Sequence, residues 1–221
     1  GSEKSASVVV KDGSKVLTEG TDYTLSYQDN IDAGTAKVII TGNGEYATCT
    51  VEKTFTISKA DYDMSTVRFD DGSTVYNGSE QGLTIVGTLP TGADGIAVSV
   101  SYTGGRTDVG SATVTATFST TSSNYNVPAP MAAIVTVTAK PVTVEWSMER
   151  LVYTGLPQAH TAGFTDVFGT VQSLDVTGKS TIAGTHTATA VVSSWTNYSF
   201  LAQTQDYTIV KAPLTITADD K

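Results

Sequence analysis

The sequence predicts an all-β chain assembled from repeated units, and three observations predict it. Apolar and polar residues alternate with a period of two in segment after segment, as in half-buried strands. Turn-forming pairs punctuate those segments. The chain also resembles itself at a spacing of about 75 residues, a sign of a repeat array.

Alternation runs through residues 23–27, 98–102, 112–118, 134–138 and 187–191. Asp12-Gly13, Gly42-Asn43-Gly44, Asp71-Gly72, Asn77-Gly78 and Gly104-Gly105 lie between them and read as turns. Asn77-Gly78 reads as a hairpin turn, because both residues tolerate positive φ. About one residue in six is threonine, above ordinary globular usage. Its β-branch suits a pleated, half-wet surface.

The repeat is carried by three matching series. The first reads Asp32-Ala33-Gly34, a strand, Tyr46, then Ile57-Ser58-Lys59-Ala60. The second reads Asp108-Val109-Gly110, a strand, Asn124-Tyr125, then a strand ending at Lys140. The third reads Ile182-Ala183-Gly184, a strand, Asn197-Tyr198, then Ile209-Val210-Lys211-Ala212. The glycines lie 76 and 74 residues apart. Tyr76-Asn77-Gly78 and Tyr153-Thr154-Gly155 add a second landmark, with tyrosines 77 apart. The glycines suit turns that need positive φ. The tyrosines suit a packing role in which the ring is buried and the hydroxyl keeps a partner. Gly34, Gly110, Gly184, Tyr46, Tyr125, Tyr198, Tyr76, Gly78, Tyr153 and Gly155 are therefore read as structural repeat positions.

These landmarks divide the chain. Residues 3–60 form a first repeat lacking its N-terminal Tyr-x-Gly strand. Residues 61–140 form a second and 141–211 a third. Residues 212–221 are the first strand of a truncated fourth, because Pro213-Leu214-Thr215-Ile216 matches Pro141-Val142-Thr143-Val144. Gly1-Ser2 reads as an expression remnant, so the chain is expected to be a piece of something longer. The junctions are short and two contain proline, which predicts restricted angles between repeats. The second repeat has a longer insert at 119–131.

The segment from Leu17 to Thr35, followed by Thr41-Gly42-Asn43-Gly44, resembles the Ig-like tandem repeats of bacterial cell-surface proteins. Tyr76-Asn77-Gly78, Tyr153-Thr154-Gly155 and the segment from Lys211 resemble the related MBG and YDG repeats. The resemblance covers most of the chain and implies small Ig-like β-sandwiches in tandem. A compact β-grasp-like repeat is the alternative. It also implies an extracellular, cell-surface or wall-anchored location and a spacer role in an adhesin-like protein.

Composition narrows the functions. The net charge is −9 and the pI about 4.5. An acidic surface repels phosphate backbones and anionic bilayers, which argues against nucleic-acid and membrane-surface partners. No apolar run approaches the roughly 18 residues of a membrane span. Cys49 is the only cysteine, so no intrachain disulfide can form.

Chemistry is sparse. His160 and His186 are the only histidines, and His186 lies in an alternating strand. No nucleophile elbow, phosphate loop or zinc-protease motif occurs. No catalytic residue, metal site or cofactor is expected. Asp61, Asp63, Asp70 and Asp71 lie near the first junction, and Asp29, Asn30 and Asp32 cluster in a loop. They lack the spacing of a calcium loop and read as turn formers. The expected first strands at 66–70 and 142–146 hold no lysine for an internal isopeptide crosslink, which leaves only Lys11 in the first repeat. Asn77-Gly78-Ser79 and Asn197-Tyr198-Ser199 match the short N-glycosylation sequon.

Two functional classes remain beside the spacer. One is a binding module for host glycan, mucin or protein, with Trp195, Trp146 and Tyr198 (and Tyr125 behind them) as the aromatic candidates. Trp195 leads because it has no counterpart in the other repeats. The other is an accessory region of a surface carbohydrate-active enzyme.

Overall fold

A computed structural model describes residues 1–217. The chain is all-β, with several sheets, and among the described residues its only helix is one 3-10 turn, Gly44–Tyr46. The first repeat contributes β1 (Lys11–Asp12), β2 (Lys15–Val16), β3 (Tyr23–Gln28), β4 (Gly34–Gly42) and β5 (Thr50–Ile57). The second contributes β6 (Gly72–Val75), β7 (Ser99–Thr103), β8 (Gly110–Ser119) and β9 (Met131–Thr138). β10 (Lys140–Thr143) spans the junction at 140–141, and the third contributes β11 (Glu145–Trp146), β12 (Leu151–Val152), β13 (Ala162–Thr165), β14 (Val171–Thr177), β15 (Gly184–Val191), β16 (Tyr198–Leu201) and β17 (Thr204–Val210).

The strands gather into two compact units. One holds residues 1–70, 84–103 and 115–132; the other holds 71–83, 104–114 and the chain from 133 onward. In the first unit, β3, β4 and β5 form an antiparallel sheet in which Gly34 faces Ile57 and Tyr23 faces Gly42. Period-2 alternation turns Ala36 and Val38 inward, both nearly inaccessible. β7 pairs antiparallel with the second half of β8. Beneath that pair, Tyr62, Val67, Val98, Ala116 and Phe118 make a core.

In the second unit, β6 runs parallel to β9, with Val75 facing Thr138. The third repeat builds a six-stranded sheet in the order β11-β13-β14-β15-β17-β12. β14 uses its first four residues to pair with β13 and its last three to pair with β15. β12 lies parallel to β17, as β6 does to β9. The core centres on Phe164, fully buried, with Val144, Ala162, Leu174 and Ala190. A smaller cluster of Ala188, Tyr207 and Ile209 adjoins it. The inward rows of β8 and β15 hold small residues, Ala116 in one and Ala188 and Ala190 in the other. Small residues there leave room for the aromatic rings that cover them.

The structure differs from the sequence reading in four places. Gly72 is not in a turn: it opens β6, and the Asp71 carboxylate accepts the Ile134 N–H at 2.6 Å instead. Asn77-Gly78 does turn, with Gly78 at φ +82 and the Ser79 N–H bonded to Asn77 Oδ1. It closes no hairpin, however, because Val75 pairs with Thr138 and Gln81 with Arg106. The strand expected at 66–70 shrinks to one bridge, Arg68 to Val86. Residues 213–217 form no strand, and 218–221 lie outside the described residues.

Candidate functional site

The place where unrelated side chains converge is the joint between one repeat and the next. Each joint begins with a turn built on glycine. Gly34, Gly110 and Gly184 take φ of +144°, +130° and +143°. An L side chain rarely adopts that conformation, so glycine is the residue that fits. The turn leaves the N–H of the preceding residue pointing outward.

At the first joint, the Ala33 N–H donates to Asn124 Oδ1 at 2.6 Å. Asn124 Nδ2 donates to Asp32 Oδ1 at 2.8 Å. At the second, the Val109 N–H donates to Asn197 Oδ1 at 2.9 Å and Asn197 Nδ2 donates to Asp108 Oδ1 at 2.8 Å. The same four atoms thus meet at both joints. A carboxamide offers one acceptor and one donor side by side, and the Asp-x-Gly turn presents the complement.

The asparagine backbone holds the exiting chain as well. The Asn124 carbonyl accepts the Ala60 N–H at 2.9 Å, and Asn126 N–H returns a bond to the Ala60 carbonyl. The Asn197 carbonyl accepts the Lys140 N–H at 3.0 Å, and β10 continues parallel to β16 from Lys140 opposite Tyr198 to Thr143 opposite Leu201. One residue therefore fastens both the turn and the linker of the repeat before it.

The tyrosine next to each asparagine fastens it to its own repeat. The Tyr125 hydroxyl accepts the Ala93 N–H at 2.8 Å, and its ring stacks on Tyr62 at 4.4 Å. The Tyr198 hydroxyl accepts the Val167 N–H at 3.2 Å, and its ring meets Phe164 at 4.9 Å. Both donors lie two residues before a glycine at φ +79°, Gly95 and Gly169. Aspartates hold these turns. Hydrogen bonding from Ser122 leads in holding Asp94 below the ordinary carboxylate value. The Thr170 N–H does the same for Asp166.

Tyr76-Asn77-Gly78 completes the second joint. The Tyr76 ring is buried edge-on against Tyr198 at 5.5 Å. A Cβ on Gly78 would lie 2.5 Å from the Phe168 ring, so a side chain there would push the third repeat away. Burial is the first cause that raises the Tyr76 hydroxyl above its usual value.

Tyr46, the first repeat's counterpart, sits in the 3-10 turn and donates to Asp12 Oδ2 at 3.1 Å. Glu45 stands where the later repeats carry asparagine.

The aromatic candidates for ligand binding, Trp195, Trp146 and Tyr198, are half-buried and pack against the core clusters. Trp195 packs edge-on to Phe164 at 4.9 Å. Trp146 donates its indole N–H to the Ala202 carbonyl at 3.1 Å and packs on both core clusters. The cavity beside Trp195 and Tyr198 holds about 180 Å³, below the roughly 300 Å³ of ordinary ligand sites. A larger trough of about 550 Å³ lies over β4 and β5; its lining includes Val38, Ile40, Val51 and Phe55 beside Lys11 and Lys53.

His160 is buried with Nε2 3.1 Å from the Glu149 carbonyl, and His186 Nε2 lies 2.8 Å from the Ile182 carbonyl. Five of the clustered acids have separate partners: Asp61 bonds Asn126, Asp63 the Ser65 N–H, Asp70 Arg68, Asp71 the Ile134 N–H and Asp32 Asn124. Among the described residues, no three His, Cys, Asp or Glu side chains group as metal ligands.

Sequence reasoning quoted Asn124 and Asn197 within the repeat but gave its weight to the tyrosines. The signal was present: asparagine precedes tyrosine twice, 92 and 89 residues after an Asp-x-Gly aspartate. The insert at 119–131, expected to be the distinctive part of the second repeat, supplies Ser122, Asn124, Tyr125 and Asn126 to the first joint.

No family model matches the chain, and no curated protein matches it. Among solved structures, the chain is similar to surface layer protein SbsC, domains 4-9, at 13% identity and a TM-score of 0.23. That match covers 95% of this chain, which spans 42% of the other's length.

Proposed function

We propose that the chain is a run of non-catalytic spacer repeats of a bacterial cell-surface protein, each an Ig-like β-sandwich of the MBG or YDG kind. The observation that carries this reading is the repeated joint. A spacer must hold its modules at set positions, and equivalent asparagines, Asn124 and Asn197, close two successive joints onto equivalent turns. The short linkers support the reading, since a few residues with proline give little slack. So does the packing of Trp195, Trp146 and Tyr198 against core residues, which gives each a structural role. The spacer reading places the chain outside the cell and assigns it no catalysis and no cofactor.

Small-angle scattering tests it. Repeats held in series give a radius of gyration well above the roughly 17 Å expected of a compact domain of this length. A value near 17 Å removes the spacer reading. A host-glycan and protein array, run with Trp195→Ala, tests the rival: saturable binding lost in the variant would favour a binding module.

A further inference from the structure

The second and third repeats each tie an early strand to their last one, and in both the two strands run parallel. In the second repeat β6 pairs with β9 from Gly72 opposite Val135 to Val75 opposite Thr138. In the third β12 pairs with β17, Leu151 opposite Ile209 and Val152 opposite Val210. The residue after each early strand adds a rung. The Tyr76 N–H donates to the Thr138 carbonyl at 2.8 Å, and the Tyr153 N–H to the Val210 carbonyl at 2.9 Å. The opposite edge is held as well, because Gln81 and Gln158 donate from Nε2 to the Val75 and Val152 carbonyls, both at 3.1 Å. Two side chains reinforce the pair in the second repeat. The Asp71 carboxylate accepts the Ile134 N–H, and Thr138 Oγ1 donates to the Thr74 carbonyl at 2.9 Å.

Parallel pairing has a mechanical meaning. The chain reaches the early strand at its start and leaves the repeat past the end of the last strand. Tension along the chain therefore draws β6 or β12 backward along its own axis and β9 or β17 forward. Parallel strands loaded in this way must slide past each other, so every rung between them resists at once. An antiparallel pair would be pulled apart from one end, rung after rung. The chain between the paired strands, Phe164 and its aromatic ring in the third repeat included, takes the load only after the pair has parted.

We propose that β6–β9 and β12–β17 are load-bearing clamps that keep their repeats folded under tension along the chain. That the chain meets such tension rests on the spacer reading; the geometry of the clamps does not.

Force spectroscopy on the full chain tests this, with Cys49→Ser and handles attached through cysteines at exposed positions of the third repeat. Arg150→Cys with Lys211→Cys grips β12 before its start and β17 past its end, which shears the pair. Leu156→Cys with Lys211→Cys grips both strands past the same end, which peels the pair. Both grips lie beyond β10, so its parallel pairing with β16 is not loaded. Either event releases roughly 20 nm of chain, about 60 residues at about 3.4 Å each, and is recognised by that length. The sheared pair should fail at about twice the force of the peeled pair or more, because forced unfolding follows the barrier out of the native state. Glu149→Cys, also exposed, supplies a second shearing grip should Arg150→Cys fail to fold. Equal forces in the two geometries, or a sheared pair that fails first, would overturn the proposal. A chain that scatters as a compact body yet resists shear would remove the spacer reading and keep the clamps. An extended chain with equal forces would do the reverse.

Discussion

Asn197 bonds through both faces of its carboxamide, and the two faces are not equivalent. Oδ1 takes the Val109 backbone N–H, while Nδ2 gives to the Asp108 carboxylate, which also faces water. This asymmetry makes a residue-level prediction. Asp108→Asn leaves an acceptor in place and should change stability by no more than about 0.5 kcal/mol. Asn197→Asp sets two carboxylates against each other and should cost about 1–3 kcal/mol, seen as faster exchange of the Val109 amide. The double variant restores a donor and an acceptor and should recover most of the loss. Equal exchange in Asn197→Asp and the double variant would show that the pairing is incidental. At this scale the sequence was half legible. The glycines and tyrosines announce themselves by recurring. Asn197 was masked because its neighbours spell a glycan acceptor motif, and its partners lie 88 and 89 residues away.

Turns and strands are the next scale. The turns at Asp94 and Asp166 need ionised carboxylates, since each accepts backbone N–H bonds. Their folded pKa values lie below the unfolded ones. Their stabilisation is therefore complete above the ordinary carboxylate value and is lost as pH falls through the folded value. Melting temperature should drop below about pH 4, and the drop should be shallower in Asp94→Asn and Asp166→Asn. Identical acid slopes would dismiss these turns as contributors. Among the described residues, β13 carries the largest fully buried side chain, Phe164, ringed by Trp195, Tyr198 and Phe200. Phe164→Ala should cost about 3–5 kcal/mol in denaturant unfolding. The long strands were legible from alternation, because one buried face imposes it on β4, β8, β9 and β15. The short parallel strands β6 and β12 were not. They are two to four residues long, their partners are more than fifty residues distant, and no periodicity fits in so short a run.

For the whole molecule, the self-similarity at about 75 residues carried more than any local signal. It marked out the series of Asp-x-Gly, Tyr and Lys landmarks before any contact was known. It did not show that neighbouring repeats share hydrogen bonds, because a period says what recurs and not what touches. Shared bonds make unfolding cooperative across a joint. Calorimetry should therefore resolve broader or additional transitions in Asn124→Ala/Asn197→Ala than in the parent chain. Superimposable traces would mean that the repeats melt without regard to the joints.

The joint asparagines also give the chain a chemical lifetime. Hydrolysis of a carboxamide to a carboxylate is a spontaneous ageing reaction, and it converts Asn197 into the very residue that faces Asp108 with like charge. While the joint is closed, the amide nitrogen is held by Asp108 and the backbone carbonyl by Lys140. The reaction that would undo the joint is thus slowed by the joint itself. An array of such repeats should age from whichever joint opens most often, and each opened joint would stay open.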